Sequence, residues 1–314
     1  LGCAALASAS VSSLRRHRRG LRMAAAGTVC PTQPKFVVAR LPANLEETCC
    51  NNGDLLAEQL RAGGKLVWHF RHGQSTGNAA KKAARAADEG TGRKDSDARY
   101  RADESLADAP LTELGVEQAQ AARATVTGWS AKPSLVVCSP LTRAIQTATL
   151  VFQDLLLEGS ARLVVRPELR EVHNDVFENS GRPVAELRNS KELRSSPCWG
   201  VIEAALSDDA TAEWRESWDT SWARGDGWRA HVADASRLIA FSCWLADRPE
   251  PMVATVCHWG TINNLMNREA WADGLPRTQV RDSWGPDTTW PLGGVARKFE
   301  MPNCGWIAVA LSPT

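Results

Sequence analysis

Tyrosine occurs once in these 314 residues, against thirteen tryptophans, and we have no physical account of that imbalance. Neither sign of charge is in excess: 37 Lys and Arg against 36 Asp and Glu leave a formal net charge of +1. That excludes recognition of nucleic acid or of an anionic membrane through a global field. Long apolar runs are also missing, none approaching the roughly 18 residues of a membrane-spanning helix, so neither nucleic acid nor membrane is expected as a partner. Nine cysteines are present, but the count is odd and none sits in a C-x-x-C pair. A disulfide framework and a structural zinc site are both disfavoured, and the reduced thiols of an intracellular protein are expected. His69 and His72 are three apart on a predicted strand and lack the further ligands zinc requires, so no metal and no cofactor is expected. No internal repeat is found. What is there, 43% hydrophobic and 23% charged residues, is the composition of a soluble globular protein with length enough for a substantial core.

The first 30 residues differ from the rest. Ala, Ser, Leu and Arg dominate, Leu14-Arg15-Arg16-His17-Arg18-Arg19 forms a basic knot, and no acidic residue precedes Glu46. The segment resembles an organelle transit peptide. An equal alternative reading takes Met23 as the start and residues 1–22 as a translated upstream stretch. A nuclear-localisation reading of the knot ranks behind both. The expected location is intracellular, cytoplasmic or organellar. Residues 31–64 read as a lead-in and 65–314 as one catalytic domain.

Within that domain, strand and helix patterns alternate. Asn52–Ala62 reads as a helix ended by Gly63-Gly64, and Lys65–Phe70 as a buried strand. Asn78–Asp88 is predicted helical. Glu89–Asp108 has almost no apolar pattern and is read as a surface insertion or lid. Thr112 caps a helix to about Trp129 with apolar positions Leu114, Ala119, Ala122 and Val126. Leu135–Cys138 is a second strand, and Pro140 opens a helix to about Leu157. Leu163–Val165 is a third strand, followed by irregular chain from Glu168 to Pro183 and a helix over Val184–Arg194. The tryptophan-bearing segment 195–228 has no clear pattern. A helix over His231–Ala246, a strand Met252–Cys257, a helix through about Trp271 and strands Val295–Glu300 and Trp306–Leu311 complete the domain. Such alternation implies a three-layer α/β/α sandwich around a mostly parallel sheet. Ligands then bind outside the carboxyl ends of the strands.

The chemistry-bearing residues fall at those ends. Arg71-His72-Gly73-Gln74-Ser75-Thr76-Gly77-Asn78 follows the first strand. An imidazole there can attack phosphorus, the Arg71 guanidinium can grip phosphoryl oxygens, and Gly73 allows a close backbone approach. Ser139-Pro140-Leu141-Thr142-Arg143-Ala144-Ile145-Gln146-Thr147-Ala148 places Arg143 in the first turn of a helix, where anions are favoured. His258 follows the strand Met252–Cys257 in the same manner.

The string R-H-G-x-S-x-x-N resembles the signature of the histidine phosphatase superfamily, branch 1, with its phosphoglycerate mutase-like fold. S-P-L-x-R-A-x-Q-T-A around Arg143 resembles the second motif of that family, and His258 stands where the family carries its second histidine. Asp108-Ala109-Pro110-Leu111-Thr112-Glu113-Leu114-Gly115 resembles its D-x-P-L-T-x-x-G segment, read here as architecture. Arg166-Pro167-Glu168-Leu169-Arg170-Glu171-Val172 resembles its L-x-E element, which makes Glu171 the leading general acid, with Glu168 and Asp175 as rivals. Trp259 departs from the usual glycine after the second histidine and is expected to reshape the pocket wall.

The resemblance implies a metal-independent phosphomonoester hydrolase acting through a phosphohistidine. His72 is the nucleophile, Arg71, Arg143 and His258 hold the phosphoryl oxygens, Asn78 lies at the phosphate rim and Ser75 supports the motif loop. The substrate is expected to be a phosphorylated small molecule or a phosphopeptide. A mutase-type phosphotransferase stays open, although Thr76-Gly77-Asn78-Ala79-Ala80 leads into no F-T-G-W segment of the mutases. The acid-phosphatase pattern R-H-G-x-R-x-P is also absent. A non-catalytic phospholigand-binding member is the third alternative. Arg93, Lys94, Arg99 and Arg101 in the insertion could meet a second anionic group, or sit in a solvated loop of mixed charge.

Overall fold

A computed structural model describes residues 36–41, 63–89, 95–129, 131–172, 176–223, 235–267 and 301–313. Its centre is the strand β2 (Lys65–Arg71), in which every residue from Lys65 to Phe70 is buried. Its apolar residues serve both faces, Leu66, Trp68 and Phe70 on one and Val67 on the other, as suits a parallel strand covered on both sides. Three further strands, β3 (Leu135–Cys138), β4 (Arg162–Val165) and β5 (Met252–Cys257), lie parallel to it, and β6 (Trp306–Pro313) is antiparallel. The sheet order is β1-β6-β2-β5-β3-β4. The edge strand β1 (Phe36–Leu41), inside the segment read as a lead-in, pairs antiparallel with β6.

Side chains alternate across the sheet and build two core layers. Leu66, Trp68, Phe70, Val136, Cys138, Ala254 and Val256 face one way. They are covered by α3 (Glu113–Thr127) through Ala119 and Val126, and by α4 (Thr142–Val151) through Ile145, Ala148 and Val151. Val67, Leu135, Val137, Val253 and Cys257 face the other way, under Leu238, Phe241 and Leu245 of α11 (Ala235–Ala246) and Ile262 and Leu265 of α12 (Trp259–Asn267). The fold is the expected α/β/α sandwich. Part of the tryptophan content sits in the first layer: Trp68 stacks on Trp129 at 5.1 Å, and Trp129 meets Trp306 edge-on at 5.0 Å.

Several local expectations are corrected. The helix predicted from Pro140 to Leu157 breaks at Phe152 (φ −104°, ψ 20°), giving α4 and the short α5 (Gln153–Leu157). Leu114, expected on the apolar face of α3, is 46% exposed. The insertion is no bare loop: α1 (Thr76–Asp88) is followed by α2 (Asp95–Arg101), whose Tyr100 is buried. Val184–Arg194 divides at Ser190, which caps α7 (Lys191–Arg194) after α6 (Val184–Asn189). The segment without a clear pattern forms α8 (Trp199–Ala205), α9 (Asp208–Thr211) and α10 (Arg215–Ala223), and buries Trp214 and Trp218 against the first layer. The expected helix Asn52–Ala62, the strand Val295–Glu300 and residues 1–30 lie outside the described residues. Among the described residues no helix is long and apolar enough to cross a membrane.

Candidate active site

Register assembles the site. β5 slots between β2 and β3, with Arg71 opposite Cys257 and Cys138 opposite Val256. The residue after each strand therefore emerges at one level: His72 N–H donates to the Cys257 carbonyl at 3.0 Å, and Ser139 N–H to that of Val256 at 3.0 Å. His72, Ser139 and His258 stand side by side, all but fully buried, with the two imidazole rings 5.0 Å apart.

The loop after His72 is pinned by small residues and caps. A Cβ on Gly73 would fall 2.6 Å from the Gly115 carbonyl oxygen, so its absence lets the loop pack on the start of α3. Ser75 caps α1 by accepting from Asn78 N–H at 3.0 Å, and the Asn78 side chain returns the contact to Ser75 N–H at 3.4 Å. Asn303 also donates to Asn78 Oδ1 at 3.3 Å, so Asn78 is turned to the cap. Thr112 caps α3 as predicted, accepting from Gly115 N–H at 3.1 Å.

Arg143 is 1% exposed and its guanidinium is fully directed. Nη1 donates to the Glu178 carbonyl at 2.6 Å, and Nη2 to Asn179 Oδ1 at 2.6 Å and His258 Nδ1 at 3.3 Å. Nε donates to His72 Nε2 at 3.3 Å. Because arginine only donates, both histidine atoms must accept, which assigns the tautomers. His72 carries its proton on Nδ1 and gives it to the Gly73 carbonyl at 2.6 Å, leaving a lone pair on Nε2 inside the site. His258 carries its proton on Nε2 and donates to Ser139 Oγ at 2.8 Å. Burial, then Arg143 and Arg71, push the His72 pKa well below 6.5. Burial and then Arg143 do the same to His258.

Arg71 donates through Nη1 to the Met301 carbonyl, and its buried Nε has no hydrogen-bond partner among the described residues. Burial lowers its pKa, opposed by Glu171 and then Glu178. Glu171 lies at the start of α12: its Oε1 accepts from Val172 N–H at 2.7 Å and its Oε2 from Gly260 N–H at 3.3 Å. Gly260 leaves the room for it, since a Cβ there would fall 2.3 Å from Glu171 Oε1. The rival Glu168 is instead locked to Arg166 at 2.6 and 3.0 Å, with Glu213 on the same guanidinium at 2.6 Å. Asp175 lies outside the described residues. Trp259 packs against the layer under α11 and α12.

Four contributors escaped the sequence reading. Asp108, read as architecture alone, is fully buried and caps α4 across the chain, accepting from Thr142 N–H at 2.8 Å and from the Thr142 hydroxyl at 2.5 Å. Burial raises its pKa against those bonds. Glu178 and Asn179 anchor Arg143, and Ser139 orients His258. Ser139 stood inside a quoted motif, whereas Glu178 and Asn179 occupy one 3-10 turn (Phe177–Asn179) with no periodic signal. Among the described residues no group of three or more His, Cys, Asp or Glu is placed to hold a metal ion. Cys138, Cys198, Cys257 and Cys304 are thiols outside any disulfide. A cavity of about 520 Å³ opens elsewhere, along the outer edge of β4, lined by Arg166, Val201, Ala204 and Trp244 among others and by none of these site residues.

A family model described as the histidine phosphatase superfamily (branch 1) matches residues 92–288, a range that holds Arg143, Glu171 and His258 and begins after Arg71 and His72. No curated protein matches. Among solved structures, the chain is similar to a mycobacterial glucosyl-3-phosphoglycerate phosphatase (24% identity, 78% of this chain and 92% of that one, TM-score 0.39). It is also similar to the ecdysone phosphate phosphatase of Bombix mori (19%, 78% and 88%, TM-score 0.39). A third is the phosphoglycerate mutase of Bacillus anthracis str. Sterne (22%, 65% and 79%, TM-score 0.36).

Proposed function

Because the chain belongs to branch 1 of the histidine phosphatase superfamily, we propose that it hydrolyses phosphomonoesters by way of a phosphohistidine on His72. The observation that carries this reading is the placement of His72, its Nε2 accepting from Arg143 Nε at 3.3 Å and its ring 5.0 Å from that of His258. A nucleophile at phosphorus needs that lone pair free of a proton at neutral pH, and burial beside two arginines keeps it so.

The substrate phosphate sits among Arg71, Arg143 and His258; the two guanidiniums offset the charge spreading over its equatorial oxygens, and the neutral His258 orients Arg143 through Nδ1. His72 Nε2 attacks phosphorus in line as the ester P–O bond breaks, and Glu171 gives its proton to the leaving oxygen. Glu171, now a carboxylate, takes a proton from water as that water attacks the phosphohistidine. Inorganic phosphate leaves and His72 returns to its neutral form. Atoms and charge balance over the two steps. The substrate class is a phosphorylated small molecule, with a phosphopeptide as the second arm of any screen.

The test is hydrolysis of an aryl phosphate by the purified full chain with a chelator present, beside His72→Ala and a 3-phosphoglycerate mutase assay with and without bisphosphoglycerate. Chelator-resistant hydrolysis that disappears in His72→Ala is expected. Hydrolysis surviving in that variant above a few per cent would overturn the nucleophile, and bisphosphoglycerate-dependent mutase activity would overturn the choice of water as acceptor.

A further inference from the structure

We infer that Tyr100 is a positioning residue for phosphoryl transfer, holding Glu178 so that Glu178 and Asn179 can set Arg143 and leave the arginines for the substrate. The inference rests on the role of His72 and Arg143 proposed above. Helix α2 lies in the insertion whose composition suggested a solvated loop. Yet its Tyr100, the single tyrosine of the chain, is 5% exposed. The hydroxyl donates to Glu178 Oε1 at 2.6 Å, across 78 residues of sequence. From α1, Lys81 sets its ammonium 5.8 Å from the centre of the same ring.

Glu178 is itself 7% exposed, and its other oxygen, Oε2, has no hydrogen-bond partner among the described residues. The carboxylate lies over Gly77, where a Cβ would come within 2.0 Å of Oε2. The main chain of this residue does the rest: its carbonyl takes Arg143 Nη1 at 2.6 Å, and neighbouring Asn179 takes Nη2 at 2.6 Å. A single 3-10 turn has little of its own to fix it. The Tyr100 bond and the seat over Gly77 supply what the turn lacks.

The donor's neutrality matters. A buried carboxylate with a vacant oxygen seeks a positive partner, and the cations of this site are Arg71 and Arg143. Glu178 already acts on Arg71 at a distance. Tyr100 satisfies one carboxylate oxygen with a group that carries no charge, and burial followed by Glu178 holds its pKa far above the usual phenol range, so it stays a donor. Without the hydroxyl, Glu178 would turn to a guanidinium that the phosphate requires.

The experiment uses the full chain as Tyr100→Phe, Glu178→Gln and the double variant, with kcat and KM for an aryl phosphate and the affinity for vanadate. Tyr100→Phe is expected to lower kcat and vanadate affinity each about tenfold, while KM changes by less than about twofold. In the double variant the neutral amide holds a guanidinium much less strongly than a carboxylate would, and vanadate affinity should return to within about threefold of the parent. A merely structural tyrosine would lower the melting temperature and leave kcat and vanadate affinity unmoved, which overturns the inference. Failure of Glu178→Gln to rescue overturns it as well. Should the parent chain hydrolyse nothing, the phosphatase reading fails separately. Calorimetric vanadate affinities of parent and Tyr100→Phe would still decide, equal or absent binding counting against Tyr100.

Discussion

Replacing Gly260 by Ala tests Glu171, the proposed proton donor, separately from the proposed phosphate ligands. The new Cβ would stand 2.3 Å from Glu171 Oε1 and 2.6 Å from Val172 Cγ2, whereas ordinary contact begins at 3.4 Å. The carboxylate must therefore retreat by about 1 Å, a displacement that costs on the order of a hundredfold when the group is a reacting one. General-acid help is worth roughly 10²–10⁴-fold where the leaving group is a poor one and little where it is good. The expected outcome is a loss of about a hundredfold in kcat on an alkyl phosphate, with kcat on p-nitrophenyl phosphate within about threefold of the parent. Steady-state kinetics on the two substrates, with circular dichroism to confirm folding, make the comparison. An equal fall on both would mean that the strain reached the phosphate ligands, and no change on either would remove Glu171 from the mechanism.

Arg143→Lys should lower kcat by about 10²–10³-fold, because one ammonium cannot meet His72, His258, Glu178 and Asn179 together as the fork does. More than a tenth of the parent rate in a folded variant would show the fork to be dispensable. Asp108→Ala should cost about 2–3 kcal/mol in denaturant unfolding, since Thr142 loses its acceptor at both backbone and hydroxyl, while Asp108→Asn should cost less. Acid should destabilise the fold through its buried histidines. His69, bonded to Thr255 at 2.7 Å, is held by burial at about 4 against an ordinary 6.5. Folding keeps that imidazole neutral, so its contribution is whole above about pH 6.5 and is lost as pH falls towards 4, a span equivalent to roughly 3 kcal/mol. Denaturant midpoints measured between those limits check this, and a flat profile would refute it.

The strands were legible because buried parallel strands carry uninterrupted apolar runs, and Leu135–Cys138 and Met252–Cys257 came out at the expected bounds. His72, Arg143 and His258 were legible because each sits within a few residues of a strand end, where local sequence and the family resemblance coincide. What anchors them was not. Asp108 caps Thr142 from 34 residues away, and Glu178 holds Arg143 from 35, and no helical or strand period links such pairs. Glu168 and Glu171 stand three residues apart; Glu168 pairs with Arg166 only two residues before it, whereas Glu171 is seated at Gly260 by a contact across 89 residues that no local pattern announces. The break at Phe152 has no proline or glycine to announce it, and Tyr100 gave no sign of burial in a segment poor in apolar neighbours.

The position of β5 also governs how the molecule can be made. A ribosome delivers β2, β3 and β4 long before Met252–Cys257 emerges, yet in the finished sheet β2 and β3 never touch. Until the late strand arrives, the first two present open flanks to each other and to any passing chain, the condition in which nascent proteins stick together. β5 closes that gap and, one residue later, brings in His258. The joining of β2 to β3 and the arrival of His258 are thus one event in time, with β6 still to come on the other flank of β2, so a chain stopped before β5 would be adhesive and would lack one wall of the proposed phosphate site.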